Sequence, residues 1–181
     1  MRSPSSIGLD TTDWAILRVL QDDARTSVRA LGEAVGLSAS AVAERRRRLE
    51  EAGVLRGYRA EVDLGAAGFP VQAVLRVNIP GARYDRINQL LPEMPEVYHC
   101  LRVAGEDCYV LLVRATSIPH LDAVASKLAT TGAVTTNVVY ETVVDNRPVE
   151  RPGCPGRPEG HRSARASASR ARSSSAGVAC P

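Results

Sequence analysis

The residues best suited to chemistry with another molecule are four consecutive arginines at positions 45–48. Guanidinium groups donate paired hydrogen bonds to guanine edges and attract phosphate oxygens, so a cluster of them is typical of nucleic-acid recognition. No C-x-x-C pair of the kind that binds zinc occurs among the cysteines, which are Cys100, Cys108, Cys154 and Cys180. We therefore predict no metal, no cofactor and no catalytic residue, and interpret the first two cysteines as small hydrophobic residues of strands.

A helix that begins at Ser38 and ends at Ala52 is predicted around the arginines. Ser38 is a favourable N-cap, and Gly53 follows where a helix commonly ends. Val42 and Leu49 lie seven residues apart and share one face, which gives this helix a narrow apolar side.

The rest of the surface of this helix is polar. Arg45 and Arg46 fall beside the apolar side, because successive helical side chains turn by about 100°. The outward positions are Ser40, Glu44, Arg47, Arg48 and Glu51. This division suits the recognition helix of a helix-turn-helix protein, whose outward face enters the DNA major groove. It suits equally a solvated face on an ordinary helical hairpin, because charge runs on helices are common.

Two shorter helices are predicted ahead of the recognition helix. The first begins near Asp10, which with Asp13 forms an acidic variant of the capping box. The second runs from a cap at Ser27 to Val35, and Gly36 makes the turn into the third helix. A connection of about three residues containing glycine is typical of a helix-turn-helix.

An extended wing and a hinge are predicted after the three helices. Residues 54–63 alternate between apolar and polar side chains, which predicts a short extended segment. Two interpretations of Arg56 and Arg59 in this segment stay open: they contact DNA phosphates, or they are ordinary surface arginines. Residues 64–70, with the sequence LGAAGFP, form the hinge, so the helix-turn-helix domain is expected to span residues 1–63.

Residues 71–145 predict a second domain of four strands and two helices. The predicted elements are strands at 71–79, 97–104, 108–115 and 134–144 and helices at 84–91 and 117–130. The order βαββαβ is the ferredoxin-like pattern, an antiparallel sheet with two helices on one face. The fold class is therefore α+β. The uncovered sheet face predicts self-association.

Charge and composition set the last segment apart. The net charge is +3, but it is unevenly distributed. Residues 1–63 carry ten basic and ten acidic residues, whereas residues 146–181 carry seven basic and two acidic residues. The last segment is rich in Pro, Gly, Ser, Ala and Arg, so we expect it to be disordered. It either adds non-specific attraction to DNA or is an inert extension. The sequence contains no membrane-spanning run and no secretion signal, so a cytoplasmic location is expected.

Several motifs together resemble the Lrp/AsnC family of feast/famine transcriptional regulators. They are L-D-x-x-D at the first helix, G-L-S-x-S before the arginines, E-A-G-V-L-x-G-Y-x-A after them, and V-x-G-E-D between two predicted strands. The resemblance extends from Leu9 to about Val144. It implies a sequence-specific DNA-binding regulator that dimerises through its ferredoxin-like domain and often forms octamers. It also implies that a small molecule, usually an amino acid, binds between dimers.

The resemblance also assigns residues to two sites. Ser38, Ser40, Arg45 and Arg48 match the motif positions of the recognition helix, and the outward face and the wing complete the predicted DNA-binding set with Glu44, Arg47 and Arg56. For the effector, Gly105 and Asp107 match the effector-loop region with Glu106 between them, and Thr136 matches the threonine of the last strand that lines the same cleft.

Two positions depart from the family pattern. Arg46 stands where the family generally has Val or Ile. The effector loop often places an aspartate directly before the aromatic residue, whereas here Cys108 precedes Tyr109 and Asp107 lies one position earlier. The identity of the bound amino acid therefore stays open.

Two other classes of function are compatible with this architecture. Tetrapyrrole decarboxylases related to siroheme breakdown resemble the family in both domains, and His99 and Tyr140 would be the candidate titratable groups here. Four arginines on one helix have no role in that enzyme. The other alternative is an architectural protein that coats DNA with little sequence preference.

Overall fold

The computed structural model describes residues 8–106 and 108–153. They form two compact units, one made of residues 8–47 and 148–153 and the other of Arg48–Arg147. Within the described ranges, no helix is long and apolar enough to cross a membrane, and no group of His, Cys, Asp and Glu side chains is arranged to hold a metal ion.

Three helices open the chain: α1 (Thr11–Asp22), α2 (Val28–Val35) and α3 (Ala39–Glu51). The predicted capping box is confirmed, because Asp10 Oδ1 accepts from the Asp13 amide at 2.7 Å and the Asp10 amide donates to Asp13 Oδ2 at 3.2 Å. Ser27 and Ser38 also cap their helices as predicted. Each cap satisfies a backbone donor that the first helical turn leaves unpaired.

The turn between α2 and α3 depends on two glycines. Gly36 ends α2 with a φ of 70°, in the left-handed region that glycine adopts without steric cost. The Leu37 amide donates to the Gly32 carbonyl at 2.9 Å, which brings the turn onto α2. A Cβ on Gly32 would stand 2.7 Å from the Leu37 carbonyl oxygen, so only glycine fits at this position.

The predicted extended wing is not formed as a strand, and that prediction was wrong. Residues 56–63 contain neither helix nor strand. The amides of Val54 and Leu55 both donate to the Leu49 carbonyl at 3.0 Å, so the start of the segment caps the end of α3. Alternation predicts a strand only where a neighbouring strand supplies ladder hydrogen bonds. Tyr58 instead donates its hydroxyl to Glu50 Oε1 at 2.8 Å.

The second unit contains the predicted βαββαβ order. Its elements are β1 (Val71–Asn78), α4 (Asp85–Leu90), β2 (Val97–Arg102), β3 (Tyr109–Ala115), α5 (Ile118–Ala129) and β4 (Ala133–Val138). The strands form one antiparallel sheet in the order β2-β3-β1-β4, which confirms the ferredoxin-like fold class.

The last strand ends earlier than predicted. The sequence predicts a strand to Val144, but β4 stops at Val138. The Val139 amide still donates to the Gln72 carbonyl, one residue from the start of β1. Beyond that point β1 offers no partner, so the β-branched residues that follow have no ladder to join.

The core of this unit lies between one face of the sheet and the two helices. Alternate residues of β1 and β3 point into it and are almost fully buried, with α4 and α5 contributing Ile87, Leu121, Val124 and Leu128. The opposite sheet face is less covered. On it Val74 and Leu112 are half-buried, and Leu101 keeps 48% of its surface exposed.

Replacing Gly32 with alanine should destabilise the helix-turn-helix unit. The new methyl group would displace the backbone of the turn, which we expect to cost about 1–3 kcal/mol of unfolding free energy. Urea titration followed by circular dichroism measures it. The control is Glu33→Ala, which removes only an exposed ion pair with Arg29. Equal stability of the two variants would contradict the close approach at Gly32.

Candidate nucleic-acid interface and effector region

The two predicted faces of α3 are confirmed. Val42 and Leu49 are fully buried, whereas the outward residues, which are Ser40, Glu44, Arg47, Arg48 and Glu51, are all exposed. The helix therefore has an apolar side that anchors it and a polar side of about three turns that faces solvent. A helix of these dimensions fits the major groove of B-DNA.

Arg47 and Glu44 form an ion pair on the exposed face. Arg47 donates to both carboxylate oxygens of Glu44, at 2.6 and 3.1 Å. Both side chains are more than half exposed, so the pair is screened by water and contributes at most about 1 kcal/mol. The pair itself therefore holds Arg47 only weakly.

Arg45 occupies a different environment, at the start of α1. Its Nη1 donates to Asp10 Oδ2 at 2.7 Å and to Asp13 Oδ1 at 2.9 Å. Asp13 is fully buried, so Arg45 supplies the positive charge that a buried carboxylate needs. The predicted DNA-binding residue Arg45 is thus directed towards its own unit, and the structure favours a positioning role for it.

The charges of this network shift its pKa values. The pKa of Asp10 is lowered from its usual 3.8, first by the hydrogen bond from the Asp13 amide and then by the hydrogen bond from Arg45. The pKa of Arg45 is raised, chiefly by its hydrogen bonds to Asp10 and Asp13. The carboxylate and guanidinium forms are therefore both favoured in the folded state.

The remaining predicted DNA-binding residues lie at the two ends of α3. Ser38 Oγ accepts from the Ala41 amide at 3.2 Å and lies 3.1 Å from Ser40 Oγ. Ser38 therefore has a structural role as the cap, in addition to any contact with DNA. Arg56 is exposed in the irregular segment after α3.

The predicted effector loop is the turn between β2 and β3. Gly105 has a φ of 132°, a conformation that favours glycine. The Glu106 carbonyl accepts from the side-chain amide of Asn78 at the end of β1. The Val103 amide donates to the Cys108 carbonyl at 3.0 Å, which closes the turn. Asp107 lies outside the described residues.

Thr136 lies on β4, away from this turn. It lines a small cavity of about 180 Å³ at the edge between β4 and α5, together with Ile118, Leu121, Asp122, Ala125 and Val138. Thr136 pairs with Leu75 on β1, whereas the turn is bonded to Asn78, three residues or about 10 Å further along that strand. A single protomer thus presents the two parts of the predicted effector site separately.

Three contacts in the structure lie outside what the sequence predicts. The sequence predicts the cap formed by Asp10 and Asp13 but not their pairing with Arg45. Two adjacent carboxylates on one helix and an arginine beside the apolar side of another are the signal that suggests it. Neither the Asn78 bond to the effector turn nor the contact between Gln21 and Val149 has such a signal.

The fold and these faces define the class of protein. The chain combines a helix-turn-helix, whose arginine-bearing helix is exposed, with a ferredoxin-like unit. This combination is typical of DNA-binding regulators that have a second domain. Residues 9–50 match the model of the AsnC-type helix-turn-helix domain, and residues 72–149 match that of the Lrp/AsnC ligand-binding domain. The chain belongs to the Lrp/AsnC family of helix-turn-helix transcriptional regulators.

Individual relatives agree with this assignment. The regulator LrpC of Bacillus subtilis is 32% identical over 135 residues, which cover 75% of this chain and 94% of LrpC. Its solved structure superposes with a TM-score of 0.74, covering 77% of this chain and all of that one. LrpA of Mycobacterium tuberculosis is 35% identical over 142 residues, 77% of this chain and 95% of LrpA.

Related structures include complexes with an amino acid. One of them is a transcriptional regulator of Neisseria meningitidis solved as a complex with L-Met. It is 29% identical to this chain, with a TM-score of 0.73 over 78% of this chain and 96% of that one.

The network at Asp10 predicts a pH dependence of stability. Because the pKa of Asp10 is lowered in the folded state, its stabilising effect is present above its usual pKa of 3.8 and is lost as the pH falls through the lowered value. In Asp10→Asn the cap remains and the charge is removed. The wild type should therefore melt at a higher temperature than Asp10→Asn near neutral pH, and the difference should close in acid.

Differential scanning calorimetry from neutral pH to about pH 2 measures this difference. The control is Asp85→Asn, which removes a carboxylate at the start of α4, outside the network. A difference between wild type and Asp10→Asn that stays constant with pH would contradict the assignment.

Proposed function

We propose that the outward face of α3 enters the DNA major groove and distinguishes the operator sequence. The observation that carries this proposal is the division of α3, which exposes Arg47 and Arg48 while Val42 and Leu49 are fully buried. Arg47 or Arg48 bonds in a bidentate manner to guanine O6 and N7, which gives about 1–3 kcal/mol of discrimination. Ser40 and Glu44 lie on the same face, and Arg56 contacts a phosphate.

Arg45 is assigned a positioning role in this proposal. Its bonds to Asp10 and Asp13 connect α3 to the start of α1, so they set the angle at which the outward face is presented. Hydrogen bonds to charged groups hold that geometry more firmly than hydrogen bonds between neutral groups.

The regulator acts as a homodimer, or as a higher assembly such as an octamer. The support is the less covered sheet face, which carries Val74, Leu101 and Leu112. A second copy that packs there removes apolar surface from water. A two-fold dimer places two copies of α3 on one duplex, so the operator is a pseudo-palindrome with half-sites one helical turn, or a multiple of it, apart.

A small molecule, most simply an amino acid, regulates the assembly or its DNA affinity. The complex of a Neisseria meningitidis relative with L-Met supports this choice of ligand. In this chain Thr136 and the Gly105–Glu106 turn are the candidate contacts, with Asp107 beside them in sequence. Because one protomer holds them apart, the complete site needs a second copy. The ligand acts by binding one assembly state better than another.

The protein performs this role without catalysis. Its relatives are named transcriptional regulators. The enzymatic alternative would use His99 and Tyr140, but the Tyr140 side chain is fully exposed and His99 is exposed on β2, so neither stands in a cleft. A non-specific architectural role would leave the base-facing arginines unused, and footprinting on the protein's own promoter region separates it from operator recognition.

Replacing Arg48 with alanine should weaken operator binding without dissociating the assembly. Loss of a bidentate contact to guanine should raise the dissociation constant about 5- to 150-fold. Fluorescence anisotropy on an operator selected from random duplexes measures the affinity, and analytical ultracentrifugation measures the size. Arg86→Ala, an exposed arginine of α4, is the control. Unchanged affinity in Arg48→Ala and in Arg47→Ala would contradict the placement of α3 in the groove.

Replacing Thr136 with valine should weaken amino-acid binding. The change keeps the shape of the side chain but removes one hydroxyl hydrogen bond, so the affinity for L-methionine should fall about 3- to 10-fold. Isothermal titration calorimetry measures it. Thr135→Val is the control, because this neighbour on β4 points to the opposite sheet face. Equal affinities in the two variants, or no heat from wild type with any of the common amino acids, would refute the effector site.

A further inference from the structure

Residues 148–151, which we call the strap, lie against α1 in the first unit. The side-chain amide of Gln21, in the last turn of α1, forms two hydrogen bonds with the backbone of Val149. The Val149 amide donates to Gln21 Oε1 at 2.7 Å, and Gln21 Nε2 donates to the Val149 carbonyl at 3.1 Å. The strap also lines a groove of about 540 Å³ beside Trp14.

The strap is held weakly. The Val149 side chain remains 68% exposed, so hydrogen bonds rather than apolar burial hold the strap in place. Each of these bonds replaces a hydrogen bond to water, so the bound and released states differ little in free energy. The expectation of disorder from Asn146 onward does not hold for residues 148–151, and residues 154–181 lie outside the described residues.

The strap gives the helix-turn-helix unit a second covalent connection to the ferredoxin-like unit. Residues 52–70, the first link, join α3 to β1, and residues 139–147, the second link, join β4 to the strap. While Gln21 holds the strap, both links constrain the helix-turn-helix unit. When the strap is released, only the first link does. The state of the strap therefore determines how freely this unit moves.

The two links leave the sheet at the same end. β1 and β4 are antiparallel and Ala73 pairs with Val138, so the start of β1 lies beside the end of β4. The amide of Val139, the first residue of the second link, donates to the Gln72 carbonyl at 2.8 Å. The first link ends at Pro70, two residues before Gln72. A displacement at the end of β4 therefore acts on both links.

A side-chain cluster around Arg114 lies at this end of the sheet. Arg114 pairs with Gln72 in the ladder between β1 and β3. Its guanidinium lies 5.3 Å from the ring centroid of Phe69, in the first link, and 5.8 Å from that of Tyr98 on β2. The pKa of Tyr98 is raised, first by burial and then by the negative charge of Asp145 in the second link, while Arg114 opposes the shift. Residues of both links therefore lie close to one cluster.

The candidate ligand cavity reaches the start of the second link. Thr136 and Val138 both line the cavity of about 180 Å³ between β4 and α5. Val138 is the last residue of β4 and directly precedes the second link. A ligand that fills the cavity restrains the end of β4 and thus the point at which the second link begins. Such a ligand favours one state of the strap over the other.

We propose that the second link and the strap, attached by Gln21, couple this cavity to the DNA affinity of α3. This coupling rests on the DNA-binding and effector roles proposed above. In a dimer, two copies of α3 must reach half-sites at a fixed spacing. Restricting the movement of the units that carry them changes the entropy that DNA binding costs. The coupling is then observed as a ligand-dependent change in DNA affinity.

The chain's single tryptophan tests whether the strap is bound. Trp14 lines the groove with Pro148 and Val149, so release of the strap should expose it. Gln21→Ala should therefore increase quenching of Trp14 fluorescence by acrylamide. Gln89→Ala, at an exposed glutamine of α4, should leave it unchanged. Unchanged quenching in Gln21→Ala overturns the proposal. Wild-type quenching that increases on dilution also overturns it, because the strap would then come from a second copy.

The effect of a ligand on DNA affinity tests the coupling itself. Operator binding is measured by fluorescence anisotropy with and without saturating L-methionine, and the ratio of the two dissociation constants is the coupling ratio. Couplings between sites typically change affinity about 5- to 150-fold. The wild type and Gln89→Ala should both show such a change, whereas the ratio in Gln21→Ala should approach unity. Isothermal titration calorimetry should show that each of these proteins still binds L-methionine.

A slack second link separates binding of the strap from coupling. Inserting about six Gly and Ser residues between Asn146 and Arg147 lengthens this link at little entropic cost to strap binding. Acrylamide quenching should therefore match that of the wild type, while the coupling ratio should fall as it does in Gln21→Ala. A wild-type coupling ratio in either variant overturns the proposal, because the ligand would then act through the assembly alone.

Failure of the proposed function is observed separately. A wild type that binds no common amino acid in calorimetry would reject the effector role, and one that binds no operator would reject the DNA-binding role. Either result also overturns the coupling. A wild type that binds both partners with a coupling ratio of unity would overturn the coupling alone. Acrylamide quenching needs neither DNA nor an amino acid, so it reports the state of the strap in every case.

Discussion

The buried carboxylate of Asp13 is the constraint on which the DNA-reading unit depends. A carboxylate removed from water is costly unless it is paired, and Arg45 pairs it at 2.9 Å while also binding Asp10. The same two aspartates cap α1, so a single cluster starts one helix and fixes another. Because Arg45, the partner of Asp13, lies between Glu44 and Arg46 on α3, the geometry of the recognition face depends on pairing the buried charge behind it.

The four arginines illustrate how one residue type performs different tasks along one helix. Arg45 faces the aspartates, Arg46 is half-buried beside the apolar side, and Arg47 and Arg48 are exposed. The 100° step between neighbouring residues forces this separation. In the proposed complex with DNA, affinity and specificity are separated in the same way, since base contacts need the rigid outward face of α3, whereas phosphate contacts carry no sequence information. The ferredoxin-like unit is where we propose that a ligand changes the state of the assembly.

Most of the fold could be predicted because it follows from local signals. Capping residues, the turn glycine and periods of 3.6 and 2 located the helices and strands within a few residues, except at the end of β4. The prediction of an extended wing was wrong because alternation does not reveal whether a partner strand exists. The amides of Val54 and Leu55 instead donate to the Leu49 carbonyl at the end of α3. The pairing of Arg45 with Asp13 and that of Gln21 with Val149 join residues 32 and 128 positions apart, and no local pattern encodes such distances. The proposed effector site is predicted only by resemblance, since Thr136 and the Gly105–Glu106 turn lie apart in one protomer.

The strap, residues 148–151, lies against α1 through the hydrogen bonds of Gln21 with Val149 and is synthesised long after that helix. Residues 8–47 of its unit are separated from it by the 100 residues of Arg48–Arg147. At ribosomal rates of about 5–20 residues per second, roughly 5–20 s pass between the synthesis of α3 and that of the strap. The three helices and the whole sheet are synthesised first. Throughout that interval the face of α1 around Gln21 is not covered by residues 148–151. Translation order therefore delays closure of this face until after the helices and the sheet have been synthesised.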